Sequence, residues 1–216
     1  MSFRLRPAAL VAAIALSAGA ACAATYDSVD FFRAVGIDNA DAVSRMLAAG
    51  VDPNQLDPHG QPALMVALQT ESLKVAKVLW DAKGIQIDIR NHAGETPLMM
   101  AALKAETDAA NALIAHGAAV QKDGWSPLHY AATGGSATII KLLLGKGAAL
   151  EARSPNGSTP LMMAARYGNE EAVDALLAAG ADRTAKNDLG MDASAFAASG
   201  GRDQLAARLK PTVAAK

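Results

Sequence analysis

The chain has 216 residues, of which 51% are hydrophobic and 19% charged, so it can form one domain or one short repeat array and is not a disordered charged tail. Its 20 Lys and Arg against 21 Asp and Glu give a net charge of −1, which argues against a strongly basic nucleic-acid-binding protein. A single cysteine excludes both an intrachain disulfide framework and a cysteine-rich zinc site.

The amino-terminal segment 1–23 has the features of a secretory leader. The opening MSFRLR supplies two arginines, and an apolar stretch follows from Pro7 to about Ala18. The run Ala21-Cys22-Ala23 then offers a small-residue cleavage site. These features predict a bacterial-type signal peptide over residues 1–23, cleavage after Ala23 and a periplasmic mature chain.

Two alternatives to cleavage are open. An uncleaved anchor would need an apolar run of about 20 residues, which is longer than the one present. A lipid anchor on Cys22 is the other alternative, although Gly19 stands where such sites usually carry Leu. Cleavage would leave a cysteine-free chain with 18 basic and 21 acidic residues, which suits an oxidising compartment. We expect no membrane attachment of this mature chain.

Glycines recur at nearly constant intervals after the leader. One series, with intervals of 34, 30, 33 and 33 residues, is Gly60, Gly94, Gly124, Gly157 and Gly190. A second series, with the same repeat length, is Gly50, Gly84, Gly117, Gly147 and Gly180. Two interleaved series with one shared period indicate an internal repeat.

The residues around these glycines predict two helices in each repeat. Gly94 begins the run GETPLMMAA, Gly157 begins GSTPLMMAA and Gly124 begins GWSPLHYAA. A hydroxyl residue followed by Pro predicts a helix start, with the hydroxyl at the N-cap and Pro at N1. Paired apolar residues such as Leu143-Leu144 precede the second glycine series and predict a second helix, which a glycine such as Gly147 then terminates.

These runs resemble the ankyrin repeat, whose pattern is G-x-T-P-L-H-x-A-A followed later by L-L-x-x-G-A-D. The resemblance covers about residues 26–210 and implies an all-α repeat fold, an ankyrin solenoid of about six helix-turn-helix repeats with short hairpin fingers. Neighbouring repeats must stack, because one repeat cannot bury its own apolar face. The predicted domain spans 24–210 before a frayed tail over 211–216. Its repeats are approximately 26–55, 57–90, 91–121, 122–153, 154–186 and 187–210.

The terminal repeats and one finger depart from the pattern. Phe31-Phe32 replaces the T-P-L-H run in the first repeat, and Ser194 takes the Leu position in the sixth. The segment between Gly117 and Gly124 is three residues shorter than its counterparts. It predicts a truncated finger and a notch between repeats three and four; a neutral loop deletion is the alternative.

Candidate residues for chemistry are few. His129 fills the motif's His position, for which the resemblance implies a structural tie between helix and finger. His59 and His92 lie near neighbouring fingertips, but two ligands alone indicate a metal site only weakly. The sequence contains no H-E-x-x-H, G-x-S-x-G, phosphate-binding glycine loop or EF-hand loop. We therefore predict no catalytic residue, no cofactor, no metal and no enzymatic activity.

The resemblance implies protein binding through a concave face, which the fingertips and the exposed side of each first helix line. Most residues at these variable positions are small or polar, whereas four in repeats three to five are larger: Leu103, Trp125, Arg166 and Tyr167. Trp, Tyr and Arg are the residue types enriched in interface hot spots. The candidate protein-binding residues are Leu103, Lys104, Trp125, Arg166, Tyr167, His92 and Glu95. For Trp125 the alternative is that it folds over the gap of the shortened finger.

The sequence as a whole thus predicts a monomeric, non-catalytic protein–protein interaction module in the periplasm, which binds or scaffolds one protein partner. An inhibitor or immunity-type protein that caps a hydrolase is one alternative. A small-ligand or metal-binding protein that uses His59 and His92 is another. A mature net charge of −3 and the export signal argue against nucleic acid as a partner.

Overall fold

Hydroxyl-proline pairs begin the first helix of the central repeats, as their sequence predicts. In a computed structural model, which describes residues 26–210, the Thr96 hydroxyl accepts a hydrogen bond from the Met99 amide at 3.3 Å. Pro97 then occupies N1 of the helix, where its missing N–H has no intrahelical partner to lose. Ser126 and Thr159 stand at the same N-cap position before the next two proline starts.

The described residues form twelve helices in six consecutive pairs and contain no regular strand. The helices are α1 Ser28–Gly36, α2 Ala40–Ala48, α3 Ala63–Gln69, α4 Leu73–Trp80, α5 Pro97–Leu103, α6 Thr107–Ala115, α7 Pro127–Gly134, α8 Ala137–Gly145, α9 Pro160–Tyr167, α10 Glu170–Ala178, α11 Ala193–Ser199 and α12 Asp203–Leu209. This arrangement confirms the predicted all-α solenoid of about six helix-turn-helix repeats.

The helix pairs stack side by side through one continuous core. The motif leucines Leu64, Leu98 and Leu128 are completely buried, and so is almost all of Leu161. First helices pack on first helices from α1 to α11, and second helices pack on second helices from α2 to α10. The helix α12 packs on α11, so the seam runs from the first repeat to the last. Trp80, at the end of the second helix of repeat two, is 8% exposed and belongs to this core.

Close helix contact requires glycine at one position of repeat four. A Cβ added at Gly134, in the last turn of α7, would collide with the carbonyl oxygen of Leu103 at the end of α5. The neighbouring backbone therefore approaches more closely than any side chain allows. Glycine acts differently at Gly147, where a φ of 88° turns the chain out of α8 into the next finger.

The sixth repeat is complete in spite of its degraded motif. Ser194, in place of the motif Leu, is buried and donates its hydroxyl to the carbonyl oxygen of Ala206 at 2.8 Å. Arg202 Nη1 donates to the carbonyls of Ala164, Ala165 and Gly168 at 3.0, 2.9 and 2.9 Å. One side chain thus satisfies the carboxyl end of α9 and fastens the last repeat onto the fifth.

The predicted signal peptide over residues 1–23 and the predicted tail over 211–216 lie outside the described residues. Within 26–210, no helix has both the length and the apolar character that a membrane crossing requires.

Candidate protein-binding face

Fingertip residues point outward because a polar side chain closes the turn beneath them. Asn91 Oδ1 accepts hydrogen bonds from the Ala93 and Glu95 amides at 3.0 and 2.9 Å. Asp57 and Asn187 make the same pair of bonds in their own fingers. Each turn is an Asx turn, in which the side chain replaces a backbone acceptor. The residues at its tip lie outside this turn.

The shortened finger lacks this turn because one residue stands at two repeat positions at once. Gln121 lies four residues after Gly117, where Asp88 and Glu151 stand in neighbouring repeats, and three before Gly124, where the Asx residue belongs. Its side chain fills the first role, since Oε1 accepts the Ala149 amide at 3.0 Å. The backbone bonds that close the other fingers are missing from this described segment.

Two open clefts lie along this part of the finger row. Arg90 lines one together with Gln121, Lys122 and Asp123 of the shortened finger. The other is lined by residues 86–90 of the preceding finger. Ile89 in this stretch is half-buried, whereas Ala152 and Ala185 at the same repeat position are buried.

Trp125 lies half-buried over a polar core residue. Its ring meets the His129 ring edge-on, with centroids 5.4 Å apart and planes at 79°. His129 is completely buried; its Nδ1 accepts from the Ser126 amide at 3.2 Å and its Nε2 lies 3.0 Å from the Ser158 carbonyl oxygen. The ring therefore ties α7 to the next finger, which is the structural tie expected for this residue.

The His129 imidazole is neutral in this setting. Burial removes it from water and lowers the pKa of His129 below its ordinary value of 6.5. An acceptor at Nδ1 leaves the proton on Nε2, which then donates to the Ser158 carbonyl. The Ser158 hydroxyl beside it is buried and has no hydrogen-bond partner among the described residues.

A half-buried Arg166 and an exposed Tyr167 form a pair at the end of α9. The guanidinium carbon of Arg166 lies 5.1 Å from the centroid of the Tyr167 ring, a cation–π distance. Tyr167 is 55% exposed, and the stem of Arg166 lies against Gly200, where an added Cβ would come within 3.3 Å of its Cγ. No carboxylate of the described residues forms a salt bridge with Arg166. The guanidinium of Arg166 is thus held against Tyr167 and has no salt-bridge partner among the described residues.

Two candidate residues of repeat three are engaged inside the chain. Leu103 is half-buried and packs against the core, and its carbonyl oxygen faces Gly134. Lys104 Nζ forms a salt bridge with Glu71 Oε1 at 2.9 Å, joining repeats two and three. Both side chains have structural partners before any protein binds.

Glu95 belongs to a hydrogen-bond network that spans three repeats. Its carboxylate accepts from Asn91 Nδ2 at 2.7 Å and from the Tyr130 hydroxyl at 2.6 Å. Asn91 Nδ2 also donates to Gln61 Oε1 at 3.2 Å. Burial, and then the adjacent Glu95, raise the pKa of the Tyr130 hydroxyl well above its ordinary range. The Glu95 carboxylate therefore already has hydrogen-bond partners within the chain.

His92 is exposed at its fingertip and rests on the neighbouring finger. A Cβ added at Gly60 would collide with the His92 ring, so this glycine makes room for it. The described residues contain no group of three or more His, Cys, Asp or Glu side chains able to hold a metal.

One apolar fingertip is not among the candidate binding residues that the sequence predicted. Leu189, at the tip of the sixth finger, is 78% exposed, more than any other exposed large apolar side chain of the described part. The signal that could have found it is its repeat position, one residue before a finger glycine, where His59, Ala93, Asp123 and Asn156 stand in the other fingers.

Known proteins with the same architecture are similar to this chain. A family profile described as "Ankyrin repeats (3 copies)" matches residues 31–123 and 119–187. The B-cell lymphoma 3 protein homolog of Mus musculus is 32% identical over 125 residues, or 55% of this chain and 28% of that protein. The putative palmitoyltransferase ZDHHC13 of Danio rerio is 32% identical over 120 residues, or 53% of this chain and 18% of that protein.

The solved ankyrin repeat domain of Bcl-3, a member of the IkappaB protein family, superposes with a TM-score of 0.66 at 28% identity. The match covers 82% of this chain and 80% of that one. The chain matches less than a third of the length of these two curated relatives, so their similarity concerns the repeats. Helix pairs, fingers and family profile together show that this chain belongs to the ankyrin repeat family.

Proposed function

We propose that this chain is a non-catalytic protein-interaction module in the periplasm, which holds one protein partner on its concave face. The Arg166–Tyr167 pair carries the proposal, because an exposed aromatic ring and an unneutralised cation at one point are the features of an interface hot spot. Trp125 in the preceding repeat adds a half-buried indole that is already held in place by His129. We call Trp125, Arg166 and Tyr167 the aromatic patch.

Preorganisation favours the aromatic patch over the other candidate residues. Lys104 and Glu95 must break internal polar contacts before they can bind anything else. Arg166 is stacked on Tyr167 and needs no such exchange. Binding through the patch therefore loses less side-chain entropy and breaks fewer internal bonds.

Periplasmic location is part of the proposal and rests on the leader. Residues 1–23 combine two arginines, a short apolar stretch and an A-x-A site. We also propose that the chain acts as a monomer, since its terminal repeats each complete the stack with their own polar contacts, as Arg202 does for the last one.

An affinity capture from fractionated cells tests the proposal. The full chain and a Trp125→Ala/Tyr167→Ala variant are expressed in parallel, the periplasmic fraction is collected, and co-purifying proteins are identified by mass spectrometry. We expect the parent to be found in that fraction with a stoichiometric protein partner, which the variant loses. Ile37→Ala, which truncates a 68% exposed apolar residue in the first repeat, is the matched control and should retain the partner.

Three results would contradict it. Retention of the partner by the double variant would remove the aromatic patch from the interface. Absence of any stoichiometric partner would remove the proposed function. Recovery of the chain in the cytosolic or membrane fraction would refute the periplasmic location, and the membrane fraction would favour the lipid anchor on Cys22.

A further inference from the structure

Basic residues recur in the last four fingers, and four of them line clefts between neighbouring fingers. Arg90, Arg153 and Lys186 each stand four residues before their finger glycine. The fourth cation, Lys122, stands two residues before Gly124 in the shortened finger. We call Arg90, Lys122, Arg153 and Lys186 the basic row.

Neighbouring members of the basic row meet in shared clefts. Arg90 and Lys122 line one open cleft together with Gln121 and Asp123. Two repeats along the solenoid, Arg153 and Lys186 line a second cleft, and Arg153 Nη1 donates to the Lys186 carbonyl at 2.8 Å.

The fourth and fifth fingers are in turn close to each other. The Pro155 ring would lie 3.5 Å from a Cβ built on Gly124. The two clefts are therefore carried by consecutive fingers of the row.

The row is positively charged although the described chain is acidic. Residues 26–210 contain 17 Lys and Arg against 21 Asp and Glu. Other cations of this region, such as Lys77 and Arg208, form salt bridges, but within the described residues no member of the row does. Two cations therefore share each cleft with one aspartate, Asp123 or Asp188, and neither cation forms a salt bridge with it, an arrangement that favours binding of an anion.

Arg153 is also held in a fixed position. Its Nη1 donates to the Gly157 carbonyl at 2.7 Å as well as to that of Lys186. The remaining guanidinium donors keep a defined direction, which suits recognition of a planar carboxylate.

We infer that the basic row binds an extended acidic segment of a partner protein, with carboxylates spaced to meet cations one repeat apart. This inference rests on the proposed function and names the chemistry of the partner. A polypeptide fits better than a polyphosphate or an anionic membrane, because Asp123 and Asp188 line the same clefts and interrupt the uniform positive field that those anions need.

Peptide binding to the full chain tests the inference directly. The probe is a fluorescein-labelled peptide of alternating Glu and Ser, with a Gln-Ser peptide of equal length as its neutral counterpart. Fluorescence anisotropy should show binding of the acidic peptide alone, weakening as salt is added. An Arg90→Glu/Lys186→Glu variant should bind about tenfold more weakly, since it replaces two attractions by repulsions.

Lys141→Glu/Lys146→Glu is the matched control, because it makes the same change in net charge at exposed positions in and just after α8. It should bind like the parent chain. Circular dichroism checks the fold of each variant. If Arg90→Glu/Lys186→Glu does not fold, the neutral variant Arg90→Gln/Lys186→Gln takes its place.

Failure of the acidic peptide to bind, or equal weakening in the control variant, would overturn the inference. So would duplex DNA or phosphatidylglycerol vesicles that bind as tightly as the peptide, because the row would then be a general polyanion surface. Affinity capture reports separately on the proposed function. A partner that depends on the aromatic patch, together with no acidic-peptide binding, would refute the basic row alone.

Discussion

At the scale of single residues, His129 shows how one side chain joins two repeats. Its neutral ring accepts from Ser126 on its own helix start and donates to the Ser158 carbonyl of the next finger. Met65, Met99 and Met162 occupy the equivalent positions of other repeats. The Met side chain fills similar space there, but its thioether has no N–H group that could donate a hydrogen bond as the imidazole does. Repeats two, three and five therefore accommodate Met at this position, whereas in repeat four polar groups surround an imidazole.

Replacing His129 by Ala should lower the free energy of unfolding strongly. The change leaves a cavity and strips the partner from a buried carbonyl, at a combined cost of about 2–4 kcal/mol. His129→Met fills the space and should cost about half as much. Urea unfolding followed by circular dichroism measures both. Equal stability of the Ala variant and the parent would contradict the structural tie.

The same residue predicts a pH dependence of stability. Because the folded-state pKa of His129 lies below its ordinary value of 6.5, the unfolded chain binds the proton more tightly. The full stability is therefore present above about pH 6.5 and falls as the pH is lowered through that value towards the folded pKa, by at most about 1.4 kcal/mol per pH unit.

Comparison of the parent with His129→Met between pH 5 and 8 isolates this contribution from the exposed histidines. The parent should lose more stability than the variant towards the acidic end. Parallel curves would show that the ring is not buried in its neutral form.

At the scale of elements, helix contacts are set by where glycine allows backbones to meet. Gly134 in α7 faces the Leu103 carbonyl of α5, and Gly200 lies where its Cβ would be 2.8 Å from the Arg166 carbonyl at the end of α9. Both contacts join the ends of first helices in adjacent repeats. The distance between neighbouring first helices therefore depends on glycines whose role cannot be recognised within a single repeat.

Gly134→Ala should destabilise the array by about 2 kcal/mol, because the added methyl group meets backbone that cannot rotate away. Gly145→Ala is its matched control: this glycine also ends a helix, has nothing within 4 Å of its ideal Cβ, and should raise stability by up to about 1 kcal/mol through helix propensity. Thermal unfolding of both variants compares them. Equal effects of the two changes would argue against close helix contact at Gly134.

At the scale of the whole molecule, stability follows from contacts between neighbouring repeats. Each helix pair packs on the pair before it and the pair after it, and α11 and α12 have such a neighbour on one side in the described part. Arg202 compensates by donating to three carbonyls around the end of α9. In an array of this kind, a local weakness changes the nearest interface most.

Arg202→Ala should therefore loosen the last repeat without unfolding the array. Loss of hydrogen bonds from a charged donor should reduce the free energy of opening of α11 and α12 by about 1.5–3 kcal/mol. Hydrogen exchange read by mass spectrometry should show faster exchange over residues 193–209 and little change over α3 and α4. Uniformly faster exchange along the chain would indicate a cooperative fold without independent end repeats.

Local sequence was sufficient to predict the architecture. Thr96-Pro97 and Thr159-Pro160 start helices, and glycines such as Gly147 end them, through interactions within a few residues. The shortened finger could also be located by counting residues between Gly117 and Gly124. These short-range signals recur at one period along the chain, which is why the solenoid follows from the sequence alone.

The state of each candidate binding residue was decided by tertiary structure. Lys104 and Glu95 are taken up by Glu71 and Tyr130, partners about one repeat away in sequence, while Arg166 stacks on its neighbour and meets no carboxylate of the described chain. The sequence gives only the type and the repeat position of each of these residues, and neither tells which side chains already have a partner within the chain. Stacking alone determines which polar groups meet across repeats, because it brings together side chains that no local pattern relates.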